Sequence, residues 1–183
     1  MVRLLLSSLL LASFPVHAGE PPHVSAKISG SGIEVESSVD LPIVPCQAYA
    51  MLTDYDDLPK FIPGLVKSHA KRISPDEVRV MQVGEVQAFL FRVEMSSTLD
   101  MTEFPGKRIV FRQVSGDFAS YSGEWDFSSA KEGTEVRYRA KMTFRPYVPL
   151  AIAKWVLDSD VERKFVAIER EAESRKGAVC PES

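Results

Sequence analysis

The pattern of apolar and polar residues first predicts a strand followed by two short helices. Ile33 and Val35 alternate with polar residues, as in a half-buried β-strand. Ala48, Leu52 and Tyr55 then recur at helical spacing, in a stretch that Pro45 can begin. Residues 54–64, "DYDDLPKFIPG", are predicted to form a second, shorter helix.

After residue 64 the period changes to two, which predicts a meander of antiparallel strands. The clearest example is residues 133–146, "GTEVRYRAKMTFRP", in which charged residues separate apolar ones. The apolar set is Val136, Tyr138, Ala140, Met142 and Phe144. Such alternation is typical of an antiparallel sheet with one solvated face, and turn residues recur about every 8–12 positions. We expect about six to seven strands in all.

A helical period returns after Pro149 and continues to about residue 176. The apolar stripe consists of Leu150, Ala153, Leu157, Val161, Phe165, Ile168 and Ala172. The helix would be roughly 40 Å long and would end before Gly177, a residue favoured just after a helix. Because the apolar face of the sheet needs a cover, we predict an α+β fold in which a curved antiparallel sheet grips one long C-terminal helix, with a cavity between them.

The N-terminal region predicts export. Arg3 precedes an apolar run, residues 4–16, that is too short to span a bilayer, and small residues precede a cleavage point after Ala18. Residues 1–18 are therefore predicted to be a signal peptide, and the protein to be periplasmic or secreted. Residues 19–32 are predicted to be a flexible lead-in, residues 33–176 the folded domain and residues 177–183 a C-terminal tail.

Two cysteines, Cys46 and Cys180, occur in this exported chain. An even count in an oxidising compartment favours a disulfide, which would tie down the C-terminus. Two free thiols remain the alternative.

Composition excludes some partners. The formal net charge is -3 and no basic stripe is present, so no nucleic-acid partner is expected. Apolar residues make up 45% of the chain, which indicates a globular protein.

Several segments resemble the START-like (SRPBCC) superfamily, above all its polyketide cyclase/dehydrase and lipid transport group, which includes coenzyme-Q-binding START-type proteins. The main resemblance lies in residues 38–74, "SVDLPIVPCQAYAMLTDYDDLPKFIPGLVKSHAKRIS", and further support comes from "GEWDF" and "GTEVRYRAKM". It covers residues 33–174 and implies the helix-grip fold and a hydrophobic ligand. The signal peptide and the two cysteines depart from the family, so its mitochondrial and cytoplasmic roles do not transfer directly.

Candidate chemistry is sparse, and we expect no catalytic residue, metal site or cofactor. His69 lies between two lysines and is predicted to face solvent. The cluster of Asp54, Asp56 and Asp57 is interpreted as helix caps and turn residues rather than as metal ligands.

The strand-borne arginines have two interpretations. Cross-strand ion pairs on the outer face would involve Arg92, Arg112, Arg137, Arg139 and Arg145 with Glu94, Glu124, Asp126 and Glu135. Alternatively, Arg92 or Arg112 points inward and holds a polar head group.

The expected function is the binding of a hydrophobic small molecule, such as a lipid, a quinone or a polyketide-like compound. The predicted ligand-binding residues are Phe61, Phe91, Phe111, Trp125, Tyr138, Met142 and Trp155. One alternative is a cyclase or dehydratase in which Tyr121 or Tyr138 is the general acid. Ile152, Trp155 and Val156 lie off the main stripe, where they are either covered by another element or contact a membrane surface or a protein partner.

Overall fold

Eight antiparallel strands form one sheet in the part of the chain that the structure describes. The structure is a computed structural model that describes residues 22–88, 90–146 and 148–180, except the side chains of Ala88 and Phe91. The predicted signal peptide lies outside the described residues. In chain order the strands are β1 (His23–Ser29), β2 (Gly32–Leu41), β3 (Leu65–Arg72), β4 (Glu77–Ala88), β5 (Phe91–Phe104), β6 (Arg108–Gly116), β7 (Ser120–Ala130) and β8 (Gly133–Thr143).

The order of the strands in the sheet is β1-β2-β8-β7-β6-β5-β4-β3. This order confirms the predicted meander, with β2 returning to pair with β8. The alternation predicted for β8 is also confirmed, since Val136, Tyr138, Ala140 and Met142 are buried. The strand count exceeds the prediction by one because β1 was not recognised.

Strand β1 lies inside the segment predicted to be a flexible lead-in, so that prediction is wrong for these residues. β1 pairs along its length with β2, and Ala26 opposite Val35 is buried. The pairing with β2 satisfies backbone groups that a Ser- and Gly-rich segment would otherwise leave to water.

In the described ranges, two helices and one short turn accompany the sheet: α1 (Pro45–Thr53), a 3-10 turn (Leu58–Lys60) and α2 (Leu150–Ser174). The 3-10 turn replaces the second short helix that the sequence predicted. Pro59 lies within this turn and Pro63 follows it, and a proline lacks the N–H group that a continuing helix needs.

The apolar stripe of α2 faces the sheet as predicted. Val161, Phe165, Ile168 and Ala172 are all buried, and α2 contacts β1 and β2. Gly177 follows the helix with φ 81°, a left-handed conformation that suits glycine. No helix among the described residues combines the length and the apolar character needed to cross a membrane.

The predicted disulfide between Cys46 and Cys180 is present, with the two Cα atoms 5.8 Å apart. It joins the start of α1 to the segment that follows α2. The Gln47 side chain adds a second link, because its Nε2 donates to the carbonyl oxygen of Ala178. The C-terminal end of α2 is therefore fastened to α1.

Ion pairs cover the outer face of β7 and β8. Arg139 Nη2 lies 2.7 Å from carboxylate oxygens of both Glu124 and Asp126, which confirms the predicted cross-strand pairing at this position. The alternative of an inward arginine is wrong for Arg92 and Arg112, whose side chains are exposed; Arg92 pairs with Glu85.

Candidate ligand-binding cavity

A cavity of about 520 Å³ lies between α2 and the sheet. Its wall comprises residues of β3 to β8, the end of α1, the segment around the 3-10 turn and the inner face of α2. Apolar side chains such as Leu99, Ile109 and Phe165 form most of the wall. The volume falls within the range of about 300–1,000 Å³ that is usual for small-molecule sites.

Four of the predicted ligand-binding residues line this cavity. They are Phe111, Trp125, Tyr138 and Met142. Strand phase explains the result, because Trp125 pairs with Tyr138 across β7 and β8 and both point to the face that α2 covers. Their contact with a ligand remains a prediction.

Two further predicted residues, Phe61 and Trp155, are not among the wall residues. Phe61 packs under the Arg175 guanidinium, whose Cζ lies 5.8 Å from the ring centre. Trp155 is 56% exposed and borders a surface groove beside β1. The side chain of Phe91 lies outside the described residues. Phe61 and Trp155 were assigned from aromatic character alone, which does not determine the direction of a side chain at the margin of a helical stripe.

An aromatic cluster forms one side of the cavity. The Trp125 ring lies 4.5 Å from the Tyr138 ring and stacks on Phe165 at 5.7 Å between centroids. Phe111 packs edge-on against Tyr121 at 5.0 Å. Gly123 permits this packing, because a Cβ atom there would lie 2.7 Å from Phe111 Cζ.

Within this cluster, the hydroxyl groups of Tyr121 and Tyr138 are 2.8 Å apart and form a hydrogen bond. Burial is the main reason that the pKa of both phenols is raised above the ordinary value for tyrosine. Both side chains therefore keep their protons at neutral pH and remain hydrogen-bond donors.

A buried carboxylate, which the sequence analysis did not identify, also lines the cavity. Asp160 is 3% exposed, although it lies on α2 rather than on a strand. Its oxygens lie 2.6 Å from Lys164 Nζ and 3.2 Å from Arg163 Nη2. The available signal was spacing: Asp160 and Lys164 follow Leu157 by three and seven residues, so they share its face of the helix.

A second buried carboxylate lies behind the wall. Glu103 accepts a hydrogen bond from Tyr55, at 2.9 Å, and pairs with Arg72 at 3.1 Å. Burial, assisted by this carboxylate, raises the pKa of Tyr55. The ring of Tyr55 lines the cavity while its hydroxyl is already hydrogen-bonded away from it.

The acidic cluster acts differently from the predicted helix caps. Asp54 is the residue at the end of α1, and Asp57 precedes the 3-10 turn without a side-chain capping bond. Asp57 instead pairs with Lys60 at 2.6 Å. Asp56 accepts the backbone N–H of Ala70 and contacts His69, which is solvent-exposed as predicted. Asp56 therefore links the segment before the 3-10 turn to β3.

Metal binding finds no support at this cluster. Within the ranges that the structure describes, no three His, Cys, Asp or Glu side chains converge in a way that could hold a metal ion.

An open antiparallel sheet that grips a long helix over an apolar cavity defines the START-like class of ligand-binding folds. The family described as "Polyketide cyclase / dehydrase and lipid transport" matches residues 41–168 of the chain. The match covers well over half of the sequence, and the protein therefore belongs to this family. Comparison with curated protein sequences gives no match.

Solved structures share the fold at low sequence identity. A STAR-related lipid transfer protein from Xanthomonas axonopodis has a TM-score of 0.71 at 14% identity, covering 86% of this chain and 97% of that one. The protein TTHA0849 from Thermus thermophilus has a TM-score of 0.70 at 17% identity, with 79% and 99% covered. The Zhui aromatase/cyclase from a Streptomyces species has a TM-score of 0.68 at 16% identity, with 79% and 96% covered. At these identities the similarity establishes the fold alone.

Proposed function

We propose that this protein binds one hydrophobic small molecule, such as a lipid, a quinone or a polyketide-like compound, in the cavity under α2. The observation that carries the proposal is a cavity of about 520 Å³ with a largely apolar wall between the sheet and α2. Proteins pack their interiors closely, so a void of this size has a cost unless something fills it. A ligand would restore the missing contacts.

The energetic basis of binding is the removal of apolar surface from water. Each Å² of buried apolar area stabilises the complex by about 25 cal/mol, before the entropic cost of association is subtracted. The aromatic cluster around Trp125 offers the broadest rigid surface for this contact. Related folds include a STAR-related lipid transfer protein and an aromatase/cyclase, which supports both lipids and polycyclic compounds as ligand classes.

The Trp125→Ala variant should bind ligand about tenfold more weakly, because the indole is a rigid aromatic surface in the cavity wall. Delipidated wild-type and variant protein would be titrated calorimetrically with a short-chain ubiquinone, a lysophospholipid and an anthraquinone. The expected result is binding of at least one probe by the wild type and the stated loss in the variant.

The chain supplies a matched control, because its other tryptophan, Trp155, is exposed and lies outside the cavity wall. We expect Trp155→Ala to bind the same probe with unchanged affinity. Equal losses in the two variants would contradict cavity binding and point to a surface site.

We also propose that the protein is exported and exchanges its ligand near the start of α2. The disulfide between Cys46 and Cys180 supports an oxidising compartment. Ile152 and Val156 line the cavity, and Ile152 is 41% exposed, so apolar side chains continue from the cavity to the surface there. A membrane surface would contact the protein at this end of the cavity, through Ile152, Trp155 and Val156.

Asp160 favours a second candidate function, in which the cavity catalyses a cyclisation or dehydration. A carboxylate in an apolar cavity can move a proton to or from a bound substrate. The test is incubation of wild type and Asp160→Asn with a linear poly-β-ketone analogue, followed by mass spectrometry. Loss of water that requires Asp160 would support catalysis, whereas an unchanged analogue would leave binding as the function.

A further inference from the structure

The hydroxyl groups of Tyr121 and Tyr138 in the cavity wall supply two hydrogen-bond donors, and only one of them is used within the pair. Each phenol carries one O–H, and the contact of 2.8 Å between Tyr121 and Tyr138 consumes one of the two as donor. Among the residues that the structure describes, neither hydroxyl has another hydrogen-bond acceptor. One O–H group is therefore left over beside the cavity.

This remaining donor lies among aromatic rings, and, besides burial, the nearby Asp160 carboxylate helps to raise the pKa of Tyr121. The rings of Phe111 and Phe118 pack against Tyr121, while Trp125 and Phe165 pack against Tyr138. An unsatisfied donor in such surroundings has a free-energy cost, which an acceptor brought by a ligand would remove. Burial raises the pKa of both phenols, so the donor persists throughout the neutral range.

The cations in the wall already have partners. Lys164 Nζ lies 2.6 Å from the Asp160 carboxylate. Arg145 donates to the backbone oxygens of Asp117 and Gly116, at 3.1 and 3.3 Å. Glu94 and Asp117 also line the cavity, so the wall has more acidic than basic side chains. An anionic ligand would therefore meet a wall in which Lys164 is already paired with Asp160 and carboxylates outnumber cations, which disfavours its entry.

We infer that the cavity selects an uncharged hydrophobic ligand with a carbonyl-type oxygen, which accepts the remaining O–H of the Tyr121–Tyr138 pair. Quinones, ketones and polyketide-like compounds satisfy this description, whereas free fatty acids and plain hydrocarbons do not. The inference rests on the proposed function, because it specifies the ligand of the same cavity.

Three tricyclic probes of nearly equal size isolate this effect: fluorene, 9-fluorenone and fluorene-9-carboxylate. Competition with a fluorescent hydrophobic probe at about pH 7.5, well below the raised pKa of both phenols, would give the three dissociation constants. We expect wild-type protein to bind fluorenone about three- to tenfold more tightly than fluorene, the range that one neutral hydrogen bond supplies. The carboxylate should bind at least about tenfold more weakly than fluorenone.

The inference makes a specific prediction for variants of Tyr121 and Tyr138. Replacing one tyrosine by phenylalanine leaves the other with a free O–H, so at least one of Tyr121→Phe and Tyr138→Phe should keep the preference for the ketone. The double variant has neither O–H and should bind fluorene and fluorenone equally, whatever its absolute affinity for fluorene. Tyr49→Phe is the matched control, because Tyr49 packs on Phe127 outside the cavity wall.

The outcomes separate this inference from the proposed function. Binding of none of the three probes would contradict hydrophobic ligand binding itself. Binding of fluorene with no preference for fluorenone would overturn only the inference, as would a preference that survives in the folded double variant. In the latter case the donor would be another polar wall residue, such as Ser97 or Gln82. Equal binding of the carboxylate and the ketone would also overturn it.

Discussion

Replacing Ala153 by phenylalanine is expected to weaken ligand binding strongly while the fold remains intact. Ala153 is buried on the face of α2 that lines the cavity, so a larger side chain there would occupy space that the ligand needs. We expect the affinity for any probe that binds wild-type protein to fall at least about tenfold. Calorimetric titration of delipidated protein would measure this loss.

The matched control is Ala151→Phe, two residues earlier on α2, where the side chain is exposed. It introduces the same ring into the same helix, and we expect its affinity to equal that of the wild type. Gly84→Val blocks the cavity from the opposite wall, since a Cβ at Gly84 has no atom nearer than 3.6 Å. Full affinity in both blocked variants would place the ligand elsewhere.

Removing the disulfide is expected to cause the largest loss of stability. The bridge joins residues separated by 134 positions and so restricts nearly the whole folded domain when it unfolds. Loops of this size correspond to a stabilisation of about 3–5 kcal/mol. The double variant Cys46→Ala/Cys180→Ala should lose that amount of unfolding free energy, measured by urea denaturation at neutral pH.

Reduction supplies the control for this prediction. Dithiothreitol should lower the stability of the wild type by a similar amount and should leave the double variant unaffected. If the wild type unfolds at the same urea concentration with and without dithiothreitol, the bridge does not hold the end of α2 to α1 in the way described.

The regular elements with strong periodicity could be predicted from the sequence. The predicted buried face of β8 and the predicted buried stripe of α2 were both correct. An apolar residue recurs at every second position of β8 and at every third or fourth position of α2, and this pattern continues over many positions. β1 was missed because it is short and lies in a segment rich in Ser and Gly, and its partner β2 is what stabilises it. The 3-10 turn at Leu58–Lys60 was predicted as a helix because Pro59 within it and Pro63 after it were given too little weight.

Residues of the candidate site could be predicted only where the alternation along a strand determines the direction of the side chain. Trp125, Tyr138 and Met142 were placed correctly in the wall for this reason. Trp155 was not, because the start of α2 is apolar nearly all round and its sequence does not mark one inner face. Asp160 was missed because the sequence analysis considered no charged residue of the long helix as a site residue; Asp160 is buried while it pairs with Lys164 and Arg163, one turn later on the helix.

Native mass spectrometry of the protein recovered from producing cells tests the central claim most directly. The account predicts that wild-type protein carries an additional mass of a hydrophobic compound, released when the protein is denatured, and that Ala153→Phe carries none. After delipidation, the wild type should take up a ketone or a quinone from a mixed panel. A wild-type spectrum with only the mass of the chain, before and after incubation with that panel, would contradict the account.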